Sequence, residues 1–297
     1  MNREGVNPIG FVVIDKPAGL TSHACVARLR RCLGTRRVGH GGTLDPAVTG
    51  VLPIAVGPAT RLLPYLPGAK TYRGSIQLGR RTSSDDLEGD LLEERPWPRL
   101  SRDDLERALD AFRGTIQQRP PQVSAVHVDG VRAHSRARRG ETMDLPSREV
   151  HIDRLTLLNW DPDCGELALE VHCSAGTYIR ALARDLGEQL GCGGCLARLR
   201  RLQALGFHID QAVPLPLDED TATPPLIAPQ QALQNRPTRI TTAAEVEDWR
   251  CGRRLSLDPE VAAGPVVVLD PDGQMLGLGL HEQPGSLRPK VVFDAHG

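Results

Sequence analysis

Apolar and polar positions along the chain switch between the repeat of a strand and the repeat of a helix. Residues 10–15, GFVVID, are mostly apolar and predict a short strand, and residues 72–78 alternate as a half-buried strand does. Thr21 followed by Ser22 predicts the start of a helix that reaches about residue 33. The mixture indicates an α+β protein.

The second half of the chain continues this mixture. Residues 150–160 and 166–173 predict two strands, and the apolar stripe of Ile179, Leu182 and Leu186 predicts a helix. Prolines then interrupt the pattern from 214 to 237, which predicts a linker or a wrapped irregular segment. Apolar runs flank a turn sequence at 270–273, so we expect a large unit over 8–213 and a small β-rich unit over 238–297.

Charge is segregated along the chain, although the formal net charge is only -1. Between Lys16 and Leu44 every charged residue is basic, and acids collect instead at 85–110 and 218–220. Further basic stretches lie at 132–139 and 198–201. Because the two signs occupy separate segments, the pattern predicts a surface that attracts a polyanion such as a nucleic acid.

Cysteine content and missing motifs limit the classes of function. The seven cysteines are an odd number, which indicates reduced thiols rather than a disulfide framework. Cys192 and Cys195 have zinc-ligand spacing but no second pair, so we expect no metal. Phosphate-loop and dinucleotide fingerprints are absent, so we expect no cofactor. With no apolar membrane span and no signal-peptide core, the sequence predicts a cytoplasmic location.

One carboxylate stands out in the segment GHGGTLDPAVTG at 39–50, which is otherwise built from glycine, proline and small residues. The glycines let a ligand approach closely, and Pro46 fixes the chain just after Asp45. A positioned lone carboxylate is a candidate nucleophile. The alternative is that Asp45 and Pro46 only initiate a turn.

Arg180 is expected in the first turn of the helix that carries Ile179. A carboxylate near it would be held ionised by the guanidinium and by the positive end of the helix. Sequence spacing alone leaves the alternative that Arg180 is a surface residue paired with a neighbour such as Asp185.

Several segments recur in a characteristic order over nearly the whole chain. They are GFVVIDKPAGLTSHACV, RVGHGGTLDPAVTGVLPIAVGPATRL, KTYRGSIQLG, TSSDDLEGD, QRPPQVSAVHVDG, SAGTYIRALARDLG and LRRLQALGF, with GLGL and LRPKVVF near the end. Each is weak alone, but together they resemble the TruB family of bacterial tRNA pseudouridine synthases. Those enzymes isomerise uridine 55 in the T loop of tRNA.

The resemblance implies an overall organisation as well as an activity. Residues 8–213 would form a mixed, mostly antiparallel sheet with flanking helices, the pseudouridine synthase fold, with a thumb-like insertion at about 122–150. Residues 238–297 would form a PUA RNA-binding domain. The implied partner is tRNA, bound through its T stem-loop by a monomer, and the implied reaction uses no cofactor or metal.

Carried over by position, the resemblance implies three catalytic residues. Asp45 would be the nucleophile, Arg180 its ion-pair partner, and Tyr72 the ring that stacks on the target base and serves as acid or base. Whether Asp45 attacks the sugar covalently or acts on a glycal route stays open.

Four further residues match family positions that bind substrate. His40 matches the histidine that helps hold the T loop open once the target nucleotide is flipped out, and Leu199 matches the apolar wall of the base pocket. Asp86 and Tyr178 match positions that line the site.

The thumb segment departs from the family pattern. Where the family usually has Tyr, Lys and Tyr, this chain has Val123, His127 and His134, which puts thumb contacts to RNA in doubt. Two other functions stay open: a pseudouridine synthase for another RNA, and a non-catalytic tRNA-folding protein. Substrate profiling distinguishes a synthase for another RNA from a synthase for tRNA. Tritium release from C5-labelled uridine distinguishes an enzyme from a non-catalytic protein.

Overall fold

The computed structural model describes residues 8–124, 127–128, 131–132, 143–216 and 223–294. Its larger part contains helices α1 (Ser22–Cys32), α2 (Arg102–Asp110) and α3 (Ile179–Gln189), with a 3-10 helix at Gly57–Tyr65. The strands are β1 (Gly10–Lys16), β2 (Val38–His40), β3 (Thr49–Val56), β4 (Lys70–Leu78), β5 (Arg80–Thr82), β6 (Leu91–Glu94), β7 (Gly114–Gln118), β8 (His127–Val128), β9 (Val131–Arg132), β10 (Arg148–Asp161), β11 (Glu166–Cys173), β12 (Gly194–Ala204), β13 (Phe207–His208) and β14 (Val213–Pro214).

Within the described residues, ten of these strands form one mixed sheet. Its order is β14-β1-β3-β12-β4-β11-β10-β7, with β2 paired to β3 and β13 paired to β12. Most neighbours are antiparallel, and the pairs β1–β14 and β3–β12 are parallel. The predicted fold class, a mixed and mostly antiparallel sheet with flanking helices, is confirmed.

The central strands are buried on both faces, which explains their continuous apolar sequence. In β1, Val12 and Ile14 face a core shared with the flanking helices, whereas Phe11 and Val13 face a second core. Successive strand residues point to opposite faces, so burial of both faces requires an unbroken apolar run. GFVVI has this composition because neither face of β1 is exposed to solvent over residues 10–14.

The helix starts follow capping signals in the sequence. The Thr21 side chain accepts a hydrogen bond from Ala24 N at 3.0 Å, and Ser101 forms a reciprocal capping box with Asp104. Both caps satisfy backbone N–H groups that have no partner within the helix. Helix α1 therefore begins where the sequence predicts.

The proline-rich segment contacts the sheet. Phe11 N donates to Ile227 O at 2.8 Å, and Ile227 N donates back to Phe11 O at 2.7 Å. A short helix, α4 (Pro229–Ala232), follows, and Leu233 is buried in the second core.

The C-terminal part is a five-stranded sheet with one helix against it. Its elements are β15 (Thr238–Ile240), α5 (Ala243–Arg250), β16 (Leu255–Ser256), β17 (Gly264–Leu269), β18 (Met275–Gln283) and β19 (Ser286–Val292), in the order β15-β17-β18-β19-β16. The predicted hairpin is confirmed as β17 and β18. Helix α5 was not predicted; it is short and its only fully buried side chain is Trp249.

The second core joins the C-terminal sheet to the large one. Val267, Leu278 and Val291 of the C-terminal strands pack in the same buried cluster as Phe11 and Phe207. Among the described residues no helix is long and apolar enough to cross a membrane.

Candidate active site

Asp45 lies in the loop between β2 and β3, and both of its neighbours are anchored. Leu44 is buried, and its N–H donates to Ser22 Oγ at 2.8 Å. The carbonyl of Pro46 accepts from Gly19 N at 2.9 Å and from Lys16 Nζ at 3.0 Å. The Asp45 carboxylate itself is 46% exposed. The loop therefore presents one fixed carboxylate to solvent.

Lys16 has a structural position that the sequence analysis missed. It is fully buried, and its Nζ donates to the carbonyls of Pro17, Leu20 and Pro46 at 2.8, 2.6 and 3.0 Å. Burial lowers its pKa, while the nearby Cys25 and Asp45 oppose that shift. Placing Lys16 on a polyanion-binding surface was wrong. The sequence signal for this burial was the position of Lys16 at the end of a strand whose two faces are both buried.

Arg180, in the first turn of α3, is buried and faces Asp45. Its Nη2 lies 3.0 Å from Asp45 Oδ2 and donates to Val123 O at 2.9 Å, while Nη1 donates to Ser84 O at 2.8 Å. The alternative pairing with Asp185 is wrong because Arg184 takes that carboxylate at 2.8 Å. The guanidinium is thus fixed by two backbone carbonyls with one edge toward Asp45.

Asp86 reaches the same guanidinium from a tight loop after β5. Its Oδ2 lies 3.6 Å from Arg180 Nε, and its Oδ1 accepts from Ser84 Oγ at 2.5 Å. The preceding residue, Asp85, has a positive φ of 61° and an ion pair with Arg184 at 2.9 Å. Burial raises the pKa of Asp85, and Arg184 opposes that shift. The ion pair helps to hold Asp85 in a backbone conformation that most residues other than glycine disfavour.

Tyr72 and Leu199 lie side by side on one face of the sheet. Tyr72 is opposite Arg201 in the β4–β12 register, and Leu199 is opposite Gly74. A Cβ on Gly74 would come within 2.9 Å of the Leu199 side chain, so glycine makes room for leucine there. Tyr72 is 7% exposed, and burial raises its pKa, although Arg201 favours its ionised form.

A cavity of about 710 Å³ opens beside the Asp45 loop. It is lined by four of the predicted site residues: Asp45, Asp86, Arg180 and Leu199. Tyr72, His40 and Tyr178 do not line it. Asp45 nevertheless acts electrostatically on Tyr72 and raises its pKa. The structure therefore brings the Asp45–Arg180 pair, a second carboxylate and an apolar wall to one opening.

His40 and Tyr178 lie near the Asp45 loop but outside the lining of the cavity. The His40 ring packs edge-on against His23 at 5.2 Å between centroids, and burial lowers its pKa. The Tyr178 ring lies under the Arg148 guanidinium at 4.6 Å, and its backbone N–H donates to Gln118 Oε1 at 2.8 Å. Burial therefore disfavours the charged form of His40, and Tyr178 is tied to the start of α3.

Comparison with known proteins identifies the family. The model of the TruB family pseudouridylate synthase N-terminal domain matches residues 30–179.

The chain belongs to the TruB family of pseudouridylate synthases.

Relatives in cyanobacteria align along the full length. The chain is 70% identical over 293 residues to tRNA pseudouridine synthase B of Parasynechococcus marenigrum (strain WH8102), covering 98% of this chain and 99% of the relative. It is 66% identical over 297 residues to the protein of the same name from Synechococcus sp. (strain WH7803), with the same coverage. This TruB-family chain is accordingly an isomerase that makes pseudouridine.

Solved structures support the fold. An H/ACA ribonucleoprotein bound to a substrate RNA containing 2'-deoxyuridine matches with a TM-score of 0.69 at 23% identity, covering 96% of this chain and 84% of that one. A Cbf5-Nop10-Gar1 complex matches with the same TM-score at 24% identity, covering 95% and 83%. At this identity the similarity concerns architecture alone.

Arginines at the cavity of the TruB-family chain are paired with acids. Arg73 pairs with Glu170 at 2.8 Å, and Arg200 pairs with Asp15 at 2.7 Å. Arg198 pairs with Glu166. Arg201, which belongs to the same basic stretch, is fully buried, so it does not lie on the surface that the sequence predicts. Alternate strand residues point to opposite faces, which sends Arg201 inward.

Two predictions concern residues of which the structure says little. The side chain of His127 and the whole of His134 lie outside the described residues, as does the basic stretch from Arg136 to Arg139. In the described part of the chain, no group of three candidate ligands could hold a metal ion. Cys192 and Cys195 are buried there, and burial raises the pKa of Cys195 to about 11.

Proposed function

We propose that this chain converts uridine 55 in the T loop of tRNA to pseudouridine, with Asp45 as the reacting carboxylate. The observation that carries the proposal is the Asp45–Arg180 pair, 3.0 Å apart at the mouth of the cavity. The name of its full-length relatives, tRNA pseudouridine synthase B, supports tRNA as the substrate.

The reaction breaks the bond from sugar C1′ to N1 of uracil and forms a bond from C1′ to C5. The C5 proton is lost and N1 gains one, so the product is an isomer and no electrons leave or enter. Asp45 takes part either by bonding to C1′ or as a base on a glycal route. Its partial exposure suits contact with the substrate, and its anchored neighbours hold it in place.

Arg180 keeps the reacting carboxylate oriented and ionised. Two of its hydrogen bonds go to backbone carbonyls, so the guanidinium stays fixed when substrate enters. A fixed charge needs little reorganisation during the reaction, which is the basis of electrostatic catalysis in a preorganised site. Asp86 shares the same guanidinium and limits its rotation.

We assign to the apolar side of the base site Leu199, which lines the cavity, and Tyr72, which lies next to it on the same face of the sheet. The raised pKa keeps the Tyr72 phenol protonated, so it can stack on uracil and donate a proton. Leu199, held over Gly74, supplies a wall without hydrogen-bonding groups. We assign His40, whose charged form burial disfavours, to the opened T loop, and Tyr178 to the edge of the base site.

The target nucleotide must leave the stacked loop before Asp45 can reach it, because base chemistry inside a stack is sterically blocked. We propose that residues 8–213 form the catalytic domain, that a thumb-like insertion at about 122–150 helps hold the RNA, and that residues 238–297 act as a PUA domain. Asp45, Tyr72 and Arg180 all come from one chain, which supports action as a monomer. A tRNA substrate implies a cytoplasmic location.

The test is tritium release from C5-labelled uridine in an unmodified tRNA transcript, followed by mapping of the product. We expect one pseudouridine, at position 55, and no release from a transcript with cytidine there. Release at other positions, or from ribosomal RNA fragments only, would favour a synthase for another RNA. Tight tRNA binding without release would favour the tRNA-folding alternative.

A further inference from the structure

Three cations gather beside the loop that carries Asp45, and none of them lines the cavity. Lys70 and Arg148 are half-buried, and Arg201 is fully buried. The charges of Arg201 and Arg148 act on Lys70 and help lower its pKa, after burial itself. A Cβ on Gly42 would lie 3.6 Å from Arg201 Nη1 and 3.9 Å from Lys70 Nζ. The backbone at Gly42 therefore lies beside both nitrogen atoms.

None of the three cations has a carboxylate within ion-pair distance in the described part of the chain. Arg201 donates to Val51 O at 2.8 Å and to Gly42 O at 3.1 Å, and Arg148 donates to Gly176 O. Arg201 Nη1 and Arg148 Nε have no hydrogen bond of good geometry, although both are buried. By contrast, the arginines at the cavity are each paired with an acid.

Burial disfavours ionisation of the Cys173 thiol, which acts electrostatically on Lys70, and of the Tyr72 phenol, which acts on Arg201. Burial raises the pKa of the Cys173 thiol to about 11, and burial also raises the pKa of the Tyr72 phenol. Asp45 is engaged by Arg180. A buried charge without a counter-charge is costly, so a cluster of like charges favours the arrival of an anion.

We propose that Lys70, Arg148 and Arg201 form a subsite for one phosphodiester group of the RNA, next to the target nucleotide. Lys70 and Arg148, which reach the surface, contact the phosphate. The buried charge of Arg201 adds electrostatic attraction without contact. Lys70 lies two residues before Tyr72 on β4, which places the phosphate beside the nucleotide that stacks on Tyr72. The inference rests on an RNA substrate, as proposed above.

The test is a double-mutant cycle between a neutral linkage and a neutralised cation. A T stem-loop RNA carries a 2′-deoxy methylphosphonate at one of the linkages flanking the target uridine, and the matched control carries a 2′-deoxy phosphodiester there. Wild type, Lys70→Gln and Arg148→Gln are compared, with Lys70→Arg and Arg148→Lys to restore charge. Arg107→Gln, on the exposed face of α2, controls for loss of one positive charge.

At one linkage we expect the methylphosphonate to weaken binding or single-turnover rate of wild type about tenfold or more, the loss expected for a hydrogen-bonded charge pair. The same change should alter Lys70→Gln and Arg148→Gln by less than about twofold, the range for groups that no longer interact. Lys70→Arg and Arg107→Gln should respond as wild type does. Additive effects at both flanking linkages would overturn the proposal.

Inorganic phosphate, added at constant ionic strength, separates a phosphodiester subsite from a site for free phosphate. We expect it to leave turnover unchanged up to millimolar concentration. Inhibition that disappears in Lys70→Gln, without coupling to any linkage, would show a free-phosphate site and contradict the proposal. Absence of turnover by wild type on the unsubstituted RNA would instead refute the proposed function, so the two failures are distinguishable.

Discussion

Replacing Arg180 by methionine tests whether the buried guanidinium organises the site. Methionine fills a similar volume but cannot bond to the carbonyls of Ser84 and Val123, at 2.8 and 2.9 Å, or pair with Asp45 and Asp86, at 3.0 and 3.6 Å. The variant therefore leaves four acceptors without their donor. Both carboxylates would then face each other across an apolar side chain.

The expected loss of stability depends on how deeply each partner of Arg180 is buried. Removing one member of a buried charge pair costs about 3–5 kcal/mol of unfolding free energy. Asp45 is half-exposed and screened, so its pairing contributes at most about 1 kcal/mol of this. We therefore expect Arg180→Met to lower the free energy of unfolding by about 3–4 kcal/mol. A misplaced reacting group loses about 100-fold in rate, and we expect at least that loss in the folded variant.

Urea denaturation gives the change in stability, and single-turnover tritium release at a temperature where the variant is folded gives the rate. Arg107→Met is the matched control, because Arg107 is 70% exposed and should change stability by less than about 0.5 kcal/mol. A loss of stability below about 1 kcal/mol for Arg180→Met would contradict these buried contacts. Near-normal turnover would contradict the role of Arg180 in orienting Asp45.

Three further predictions concern other parts of the molecule. Lys16→Met should slow turnover more than it weakens RNA binding, since Lys16 Nζ fixes the carbonyl next to Asp45 from inside the protein; equal losses in both would contradict a positioning role. Removal of 238–297 should expose the shared core and lower the melting temperature of the remainder, which calorimetry measures; an unchanged value would show that the two sheets are independent. The pKa of Cys173 rises from 9.0 to about 11, so its contribution to stability is complete below pH 9 and is lost as pH rises through 11. Urea denaturation of wild type and Cys173→Ala should then diverge less at pH 11 than at pH 8, and a constant difference would refute the shift.

Local sequence signals predict much of the fold. The cap at Thr21, the alternation at 72–78 and the hairpin at 270–273 each depend on neighbours within a few residues. The unbroken apolar run of β1 also predicts burial on both faces. The glycine- and proline-rich context of Asp45 similarly predicts a fixed and accessible carboxylate.

The burial of cationic side chains is the part of the structure that the sequence alone does not predict. Lys16 and Arg201 look like surface charges in a basic stretch, yet both are buried and donate to backbone carbonyls. Arg201 bonds to Val51 and Gly42, about 150 residues earlier in the chain, and only the completed sheet brings these groups together. Helix α5 was missed for a related reason, because a single buried Trp249 gives no apolar stripe.

Asp45→Asn tests the central claim most directly, because asparagine keeps the shape of the side chain but supplies neither a nucleophile nor a base. Binding of unmodified tRNA and single-turnover tritium release are measured on the same preparation over a range of salt. We predict affinity within about threefold of wild type, since phosphate contacts by cations dominate RNA affinity and a carboxylate cannot neutralise a phosphate, and no detectable tritium release. Turnover at an appreciable fraction of the wild-type rate would contradict the assignment of Asp45 as the reacting group.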